Sequence, residues 1–294
     1  MNAPQKPVFG ERLAAEPYAI PAGAQPASTQ VGAQPRQQHM AIPSWGRASG
    51  LAYWEYHLLC WAYPRDPDRL TGAAYQNRSK LKTLLGPEVF QQTRGKTVID
   101  FGCGYGAQTI ALAQNGTKLA VGVDIREEVL NVARAKTRDI PNIQFLTPQE
   151  CPRELADIVI SLDSFEHFEN ASIALGLMHD LLRPDGVLLA SFGPPWRHPL
   201  GAHSFSVFVW AHLLLNERAL VGWYNKIKNK SISRFEDSSG GLNRMTIAKF
   251  EALVRASDFR EASITPVPIR KLRLFHNSLT REFTTAVIKC QLTK

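Results

Sequence analysis

The chain has 294 residues, 44% of them apolar and 20% charged, with four cysteines and a formal net charge of +8. That length fits one large domain or one domain with attachments, and the apolar share fills a substantial core. The composition excludes a disulfide scaffold, a collagenous chain and a wholly disordered one.

Cys60, Cys103, Cys151 and Cys290 are scattered without a metal-ligand spacing. That pattern predicts a reduced, intracellular protein with no metal centre. The first twenty residues lack an apolar signal core, and the longest strongly apolar stretch, 205–215, is about half the ~20 residues a membrane span needs. A cytoplasmic protein without a membrane span is the expectation. Residues 1–215 carry 19 Lys+Arg and 19 Asp+Glu, whereas residues 216–294 carry 15 and 7, so the positive excess lies wholly in the last quarter. A basic region of this kind is a solvated face or attracts phosphate-bearing partners and anionic surfaces.

Residues 1–44 are rich in Pro, Ala and Gln and lack periodicity, so they read as a disordered arm. From Trp45 the texture becomes aromatic, and 45–92 reads as an N-terminal helical cap with a further helix over 69–85. Region 96–193 then alternates strands and helices. KTVIDF, KLAVGVDI, IQFL, ADIVISL and GVLLASFG are the strands. AQTIALAQNG, REEVLNVARAKTRDI (stopped by Pro141) and NASIALGLMHDLLRPDG (stopped at Pro184) are the helices. Such alternation predicts right-handed crossovers and a parallel sheet. Residues 194–243 interrupt the rhythm with a loop, one or two helices over 204–224 and a polar, mobile run over 226–241. Thr246 caps a helix through Ala256, and extended segments near 258–267 and 282–292 pair at the far edge of the sheet.

The most informative stretch is VIDFGCGYGAQTI, a strand running through glycines into a helix. Gly102, Gly104 and Gly106 admit a ligand close to the backbone, and the helix start offers unpaired N–H groups. The spacing is G-x-G-x-G, not the G-x-G-x-x-G of pyrophosphate-binding folds, which disfavours an NAD oxidoreductase. Asp100, two residues before the first glycine, repels a pyrophosphate and suits a cationic ligand bearing an amino acid. Asp124 ends the second strand, where a carboxylate accepts both ribose hydroxyls. Together they point to S-adenosylmethionine.

On these residues the chain resembles the class I S-adenosylmethionine-dependent methyltransferases, most of all the group typified by quinone biosynthesis. VIDFGCGYG and VGVDI match its first two motifs, DIVISLDSFEHF its fourth-strand motif and LLRPDGVLLASF the helix–turn–strand that comes next. The resemblance implies a Rossmann-like three-layer α/β sandwich over 93–294, with a seven-stranded, mostly parallel sheet whose last strand is antiparallel. It places Asp100, Gly102, Cys103, Gly104 and Gly106 on the methionine side and Asp124 and Ile125 on the ribose and adenine. Leu162 and Asp163 fall beside the sulfonium. The chain departs from the family after the third strand, where IQFLTPQECP leaves Gln149, Glu150 or backbone groups to meet the adenine.

Methyl transfer needs a nucleophile held in line and, for a hydroxyl or amine, a route for its proton. Positioning alone supplies roughly 7–11 kcal/mol in ideal cases. Glu166 and His167 follow the fourth strand, and His167 is a candidate general base or loop-orienting group. Trp196, His198 and His203 follow the fifth strand and are expected to overhang the pocket mouth, with His203 the second catalytic candidate. The spacing of His198, His203 and His212 does not make a metal site. The aromatic residues of 45–63, with Phe205, Phe208 and Trp210, either pack as core or cover the sulfonium. The leading expectation is a methyltransferase acting on a small-molecule acceptor under a cap formed by the N-terminal helices and the 194–243 insertion. Alternatives are an RNA or protein methyltransferase docking through the basic C-terminal region, although no nucleic-acid-binding signature is present, and a non-catalytic scaffold of the same fold.

Overall fold

A computed structural model describes residues 50–65, 78–238 and 241–294. The expectations for the 1–44 arm and for the first part of the 69–85 helix lie outside the described residues. The first described helices are α1 (Gly50–Ala62), α2 (Lys80–Leu85) and α3 (Val89–Thr93). Ser79 caps α2, its Oγ accepting from the Lys82 amide at 3.3 Å.

The alternating region comprises β1 (Thr97–Phe101), α4 (Ala107–Gln114), β2 (Leu119–Val123), α5 (Glu127–Lys136), β3 (Ile143–Leu146), β4 (Ala156–Leu162), α6 (Ala171–Leu181) and β5 (Leu182–Phe192). β1 is buried along its whole length, as the apolar run TVIDF requires of a central strand covered on both faces. The end of α5, the end of α6 and the start of β5 differ from the sequence reading. α5 ends at Lys136, where Thr137 Oγ1 turns back onto the Ala133 carbonyl at 3.0 Å. α6 ends at Leu181 because Arg183 precedes a proline and disfavours helical dihedrals. Leu182 is instead extended and pairs with Ala156, so β5 begins four residues before the expected strand.

The insertion holds a short 3₁₀ turn (His203–Phe205), the one-turn α7 (Ala211–Leu214) and α8 (Glu217–Lys228). The run after α8 is anchored rather than loose up to Asp237. Phe235 is buried, and its amide donates to Glu217 at 2.8 Å. The chain closes with α9 (Ile247–Arg255), β6 (Glu261–Pro268), α10 (Arg281–Thr284) and β7 (Thr285–Thr293). Thr246 caps α9 as expected, its Oγ1 accepting from the Lys249 amide at 3.1 Å.

The sheet order is β3-β2-β1-β4-β5-β7-β6. The first five strands are parallel, and β7 runs antiparallel to both of its neighbours. The strand order reverses between β1 and β4, and ligands of open α/β sheets bind at the carboxyl ends of such a pair. One face is covered by α6 and α9 around the rings of Phe165, Phe192 and Phe250; α2, α3 and α4 pack a second cluster with β1, β4 and β5. A third cluster joins α1 to the insertion through Leu59, Phe205, Trp223 and Phe235.

Phe250 is fully buried, with ring centroids 5.1 Å from Phe165 and 4.9 Å from Phe192. Phe250→Ala is expected to destabilise the protein by about 3–5 kcal/mol in urea unfolding, with loss of α9 from the sheet as the first event.

Candidate functional site at the carboxyl ends of β1, β2 and β4

The chain leaves β1 through three glycines with left-handed backbone, φ +81° at Gly102, +53° at Gly104 and +79° at Gly106, and enters α4 directly. Any other residue there would carry backbone strain. The amides of Gly102 and Cys103 both donate to the Val123 carbonyl, at 2.8 and 3.1 Å, which fastens the turn to the end of β2. A Cβ on Gly106 would meet the Phe145 ring at 2.6 Å, and one on Gly122 would meet it at 2.5 Å. The side chain of Cys103 points away from the turn into the cluster of Leu130, Ala133 and Phe145, so only its backbone faces the crevice. Burial pushes its thiol well above the ordinary range.

Asp100 is buried and accepts from Thr109 Oγ1 at 2.7 Å. Burial pushes its carboxyl up to about 6 against that hydrogen bond. Asp124 follows β2 and accepts from the Gly104 amide at 2.9 Å and the Arg126 amide at 3.0 Å. The Arg126 guanidinium forks onto the same carboxylate at 3.0 and 3.1 Å. Burial acts to raise this acid too, yet the bonds from Arg126 and Gly104 outweigh it and hold it below the usual carboxylate range. Ile125, next in the chain, is 81% exposed.

The loop after β4 adjoins the glycine turn, since a Cβ on Gly102 would come within 2.9 Å of Ser164 Oγ. Leu162 is buried at the strand end. Asp163 has left-handed backbone, φ +49°, and its carboxylate pairs with Lys80 Nζ at 2.9 Å. Its Oδ1 is buried without a hydrogen-bond partner. Lys80, at the start of α2, escaped sequence reading because nothing local ties it to a carboxylate beyond β4. Glu166 is buried, with one oxygen accepting from the Gly193 amide at 3.2 Å and the other without a partner. Burial, then the nearby Asp163 charge, pushes it up to about 8.

His167 and His203 are brought together, their rings nearly perpendicular with centroids 5.3 Å apart. His167 Nδ1 lies 2.8 Å from the Gly241 carbonyl. His203 Nε2 is buried without a hydrogen-bond partner. Burial, then the neighbouring His167, pushes His203 down to about 4, so the ring is neutral at pH 7. The pair lines a cavity of about 110 Å³ with Phe205, Tyr224, Ser238 and Leu242.

Other candidates lie elsewhere. Gln149 is exposed and lines a separate cleft of about 270 Å³ with Cys151, Arg153 and Leu177. Glu150 folds back onto Thr147, accepting from its amide at 2.8 Å and its hydroxyl at 2.9 Å. Trp196 does not overhang a pocket mouth; it packs against Phe235 and His212 inside the insertion cluster. His212 Nε2 lies 2.6 Å from the Trp196 carbonyl, and His198 Nδ1 accepts from the Leu200 amide at 2.9 Å. Among the described residues no three His, Cys, Asp or Glu side chains form a cluster able to hold a metal ion. Trp54 and Trp61 are 71% and 81% exposed and neither fill the core nor line the His167–His203 cavity. No described helix is long and apolar enough to cross a membrane.

A family described as a methyltransferase domain matches residues 70–260. The ubiquinone biosynthesis O-methyltransferase of Neisseria meningitidis serogroup C is 30% identical over 109 residues, 33% of this chain and 44% of that protein. The ribosomal protein L11 methyltransferase of Burkholderia thailandensis is 31% identical over 109 residues, 34% of this chain and 36% of that protein. The chain thus spans less than half the length of these curated relatives. An S-adenosylmethionine dependent methyltransferase from Mesorhizobium loti superposes with a TM-score of 0.48 at 14% identity, over 74% of this chain and 99% of that one.

Glu166 supplies a pH test of this geometry. Its native pKa is raised from 4.5 to about 8, so between those values the folded state binds the extra proton and stability falls as pH rises. Glu166→Gln is expected to flatten that decline, with the variant gaining on wild type from pH 5 to pH 8 in urea titrations. An unchanged slope would place the carboxyl in water.

Proposed function

The chain belongs to the methyltransferase-domain family, among the class I S-adenosylmethionine-dependent enzymes, and from that premise we propose that it methylates a small-molecule acceptor held in the His167–His203 cavity. The residues of the glycine turn fit the cofactor. A Cβ on Gly104 would meet nothing nearer than Arg126 Nη2, at 3.8 Å, so the turn is open on that side. Asp100 and the backbone of Gly102, Cys103, Gly104 and Gly106 would hold the methionine end. Asp124 would accept the ribose hydroxyls, for which the Arg126 fork has to open, since both claims fall on the same two oxygens. Ile125 would offer adenine an apolar face, and Leu162 with Asp163 would flank the sulfonium. Gln149 would have to leave its own cleft to join them, which assigns the adenine edge to backbone groups after β3.

The bound cofactor supplies an electrophilic methyl group on a positively charged sulfur. The chain supplies position and a route for the proton. His203, a neutral imidazole on the cavity wall, would meet the hydroxyl of the acceptor. With a pKa near 4 it binds a proton only weakly, so its main effect is to orient the nucleophile. His167, its own ring anchored on the Gly241 carbonyl, would form the facing wall.

The observation that carries this reading is the convergence of His167, from the loop after β4, and His203, from the insertion, on that cavity. A cavity lined by the insertion suits a small molecule better than an RNA or protein chain.

Calorimetry with S-adenosylhomocysteine is expected to give binding that Asp124→Ala weakens about 10- to 100-fold, the worth of a charge-assisted hydrogen bond, with NADH as the inert control. A folded protein that binds no S-adenosylhomocysteine would sink the enzymatic reading. With labelled methyl donor and a panel of hydroxylated small molecules, His203→Ala is expected to lower kcat at least tenfold while cofactor affinity holds. Label recovered only in RNA or protein would remove the small-molecule acceptor and leave the cofactor site standing.

A further inference from the structure

The β6–β7 connection, residues 269–284, carries four Lys+Arg against one Asp+Glu, three of the eight excess positive charges of the last quarter of the chain. β7 enters the sheet with Ile288 opposite Phe192 and Thr285 opposite Pro268. Phe192 is the carboxyl end of β5, so the connection rises from the same end of the sheet as the glycine turn and the 163–168 loop. Its base is well anchored. Glu282 accepts from the Ile247 and Ala248 amides at 3.2 and 2.9 Å, at the start of α9. Arg281 forks onto Glu251 at 2.6 and 2.8 Å. Asn277 Oδ1 accepts from the Leu279 and Thr280 amides at 2.9 and 3.1 Å.

From this base Leu274, Leu279 and Phe275 stand 96%, 89% and 66% exposed. Arg270, Lys271 and Arg273 are exposed on the same short segment. Glu282 is the one acid between residues 269 and 284, and its carboxylate is already bonded to α9. Large apolar tips and unopposed cations on one fixed loop match two layers of chemistry, a hydrocarbon boundary and a plane of phosphates.

We propose that the β6–β7 connection docks the protein on an anionic phospholipid bilayer. Leu274, Phe275 and Leu279 enter the boundary between headgroups and acyl chains, and Arg270, Lys271 and Arg273 pair with headgroup phosphates. Aliphatic tips offer a nucleic acid no stacking face, so single-stranded RNA on this surface would leave Leu274 and Leu279 in water. Docking through this loop turns the carboxyl end of the sheet toward the lipid, whatever acceptor the site takes.

The test is cosedimentation of the full chain with phosphatidylcholine–phosphatidylglycerol vesicles against vesicles of phosphatidylcholine alone. Binding is expected to the mixed vesicles and to weaken with salt. Arg270→Glu with Lys271→Glu is expected to lower the partition coefficient by at least ~25-fold, about fivefold for each cation removed. Leu274→Ser with Leu279→Ser is expected to lower it by roughly tenfold. Both variants change exposed side chains and are expected to keep the thermal midpoint and S-adenosylhomocysteine affinity of the wild type. Equal binding to neutral vesicles, no binding to the mixed ones, or binding that both variants leave unchanged would overturn the proposal. So would tight binding to an RNA oligonucleotide that the Leu274→Ser, Leu279→Ser variant retains in full.

Discussion

One carbonyl oxygen sets the geometry of this molecule's crevice. Val123 O receives the amides of both Gly102 and Cys103, so the exit of β1 cannot move without the exit of β2. Asp124, the next residue, then reaches across to the Gly104 amide. The left-handed glycines are the means by which the chain turns sharply enough to deliver those amides. The start of α4 and the seat of the Phe145 ring are both placed by that junction.

Around the junction the chain gathers four carboxyl groups, Asp100, Asp124, Asp163 and Glu166, and balances them unevenly. Arg126 and Lys80 pair with Asp124 and Asp163. Asp100 has a hydroxyl and Glu166 a backbone amide, and burial pushes both acids upward. At pH 7 Glu166 is protonated and Asp100 is the carboxylate left without a paired cation, so the crevice is short of positive charge. A cationic ligand gains there from the low dielectric, where an anionic one would be repelled. The preference for a sulfonium over a pyrophosphate is thus written in the charge arrangement as well as in the glycine spacing.

Much of this was legible because it is local. Strands such as TVIDF and ADIVISL are apolar runs bounded by turn residues, and Thr246 stands where a cap must stand. Gly102, Gly104, Gly106 and the helix after them announce themselves within one short run of residues. The pairing of Lys80 with Asp163 was not legible, because it joins residues far apart in the chain through folding alone. The early start of β5 was hidden because Leu182 reads equally well as the end of a helix until Ala156 pairs with it. The insertion was least legible of all. Its helices are short and its order comes from side chains such as Phe235 and Trp223 meeting α1, a tertiary effect that periodicity does not encode.

The ring of Phe145 has one more consequence. It fills the space over two glycines, but for different reasons. Gly106 is held to glycine by its backbone, whereas Gly122 lies in an ordinary strand and lacks a side chain only because the ring and Cys103 Sγ stand within 2.9 Å of where a Cβ would be. Positions 122 and 145 therefore share one fixed volume. In related chains they should drift as a pair, a bulkier residue on β2 appearing only where the one on β3 has shrunk, while the glycine of the turn stays as it is.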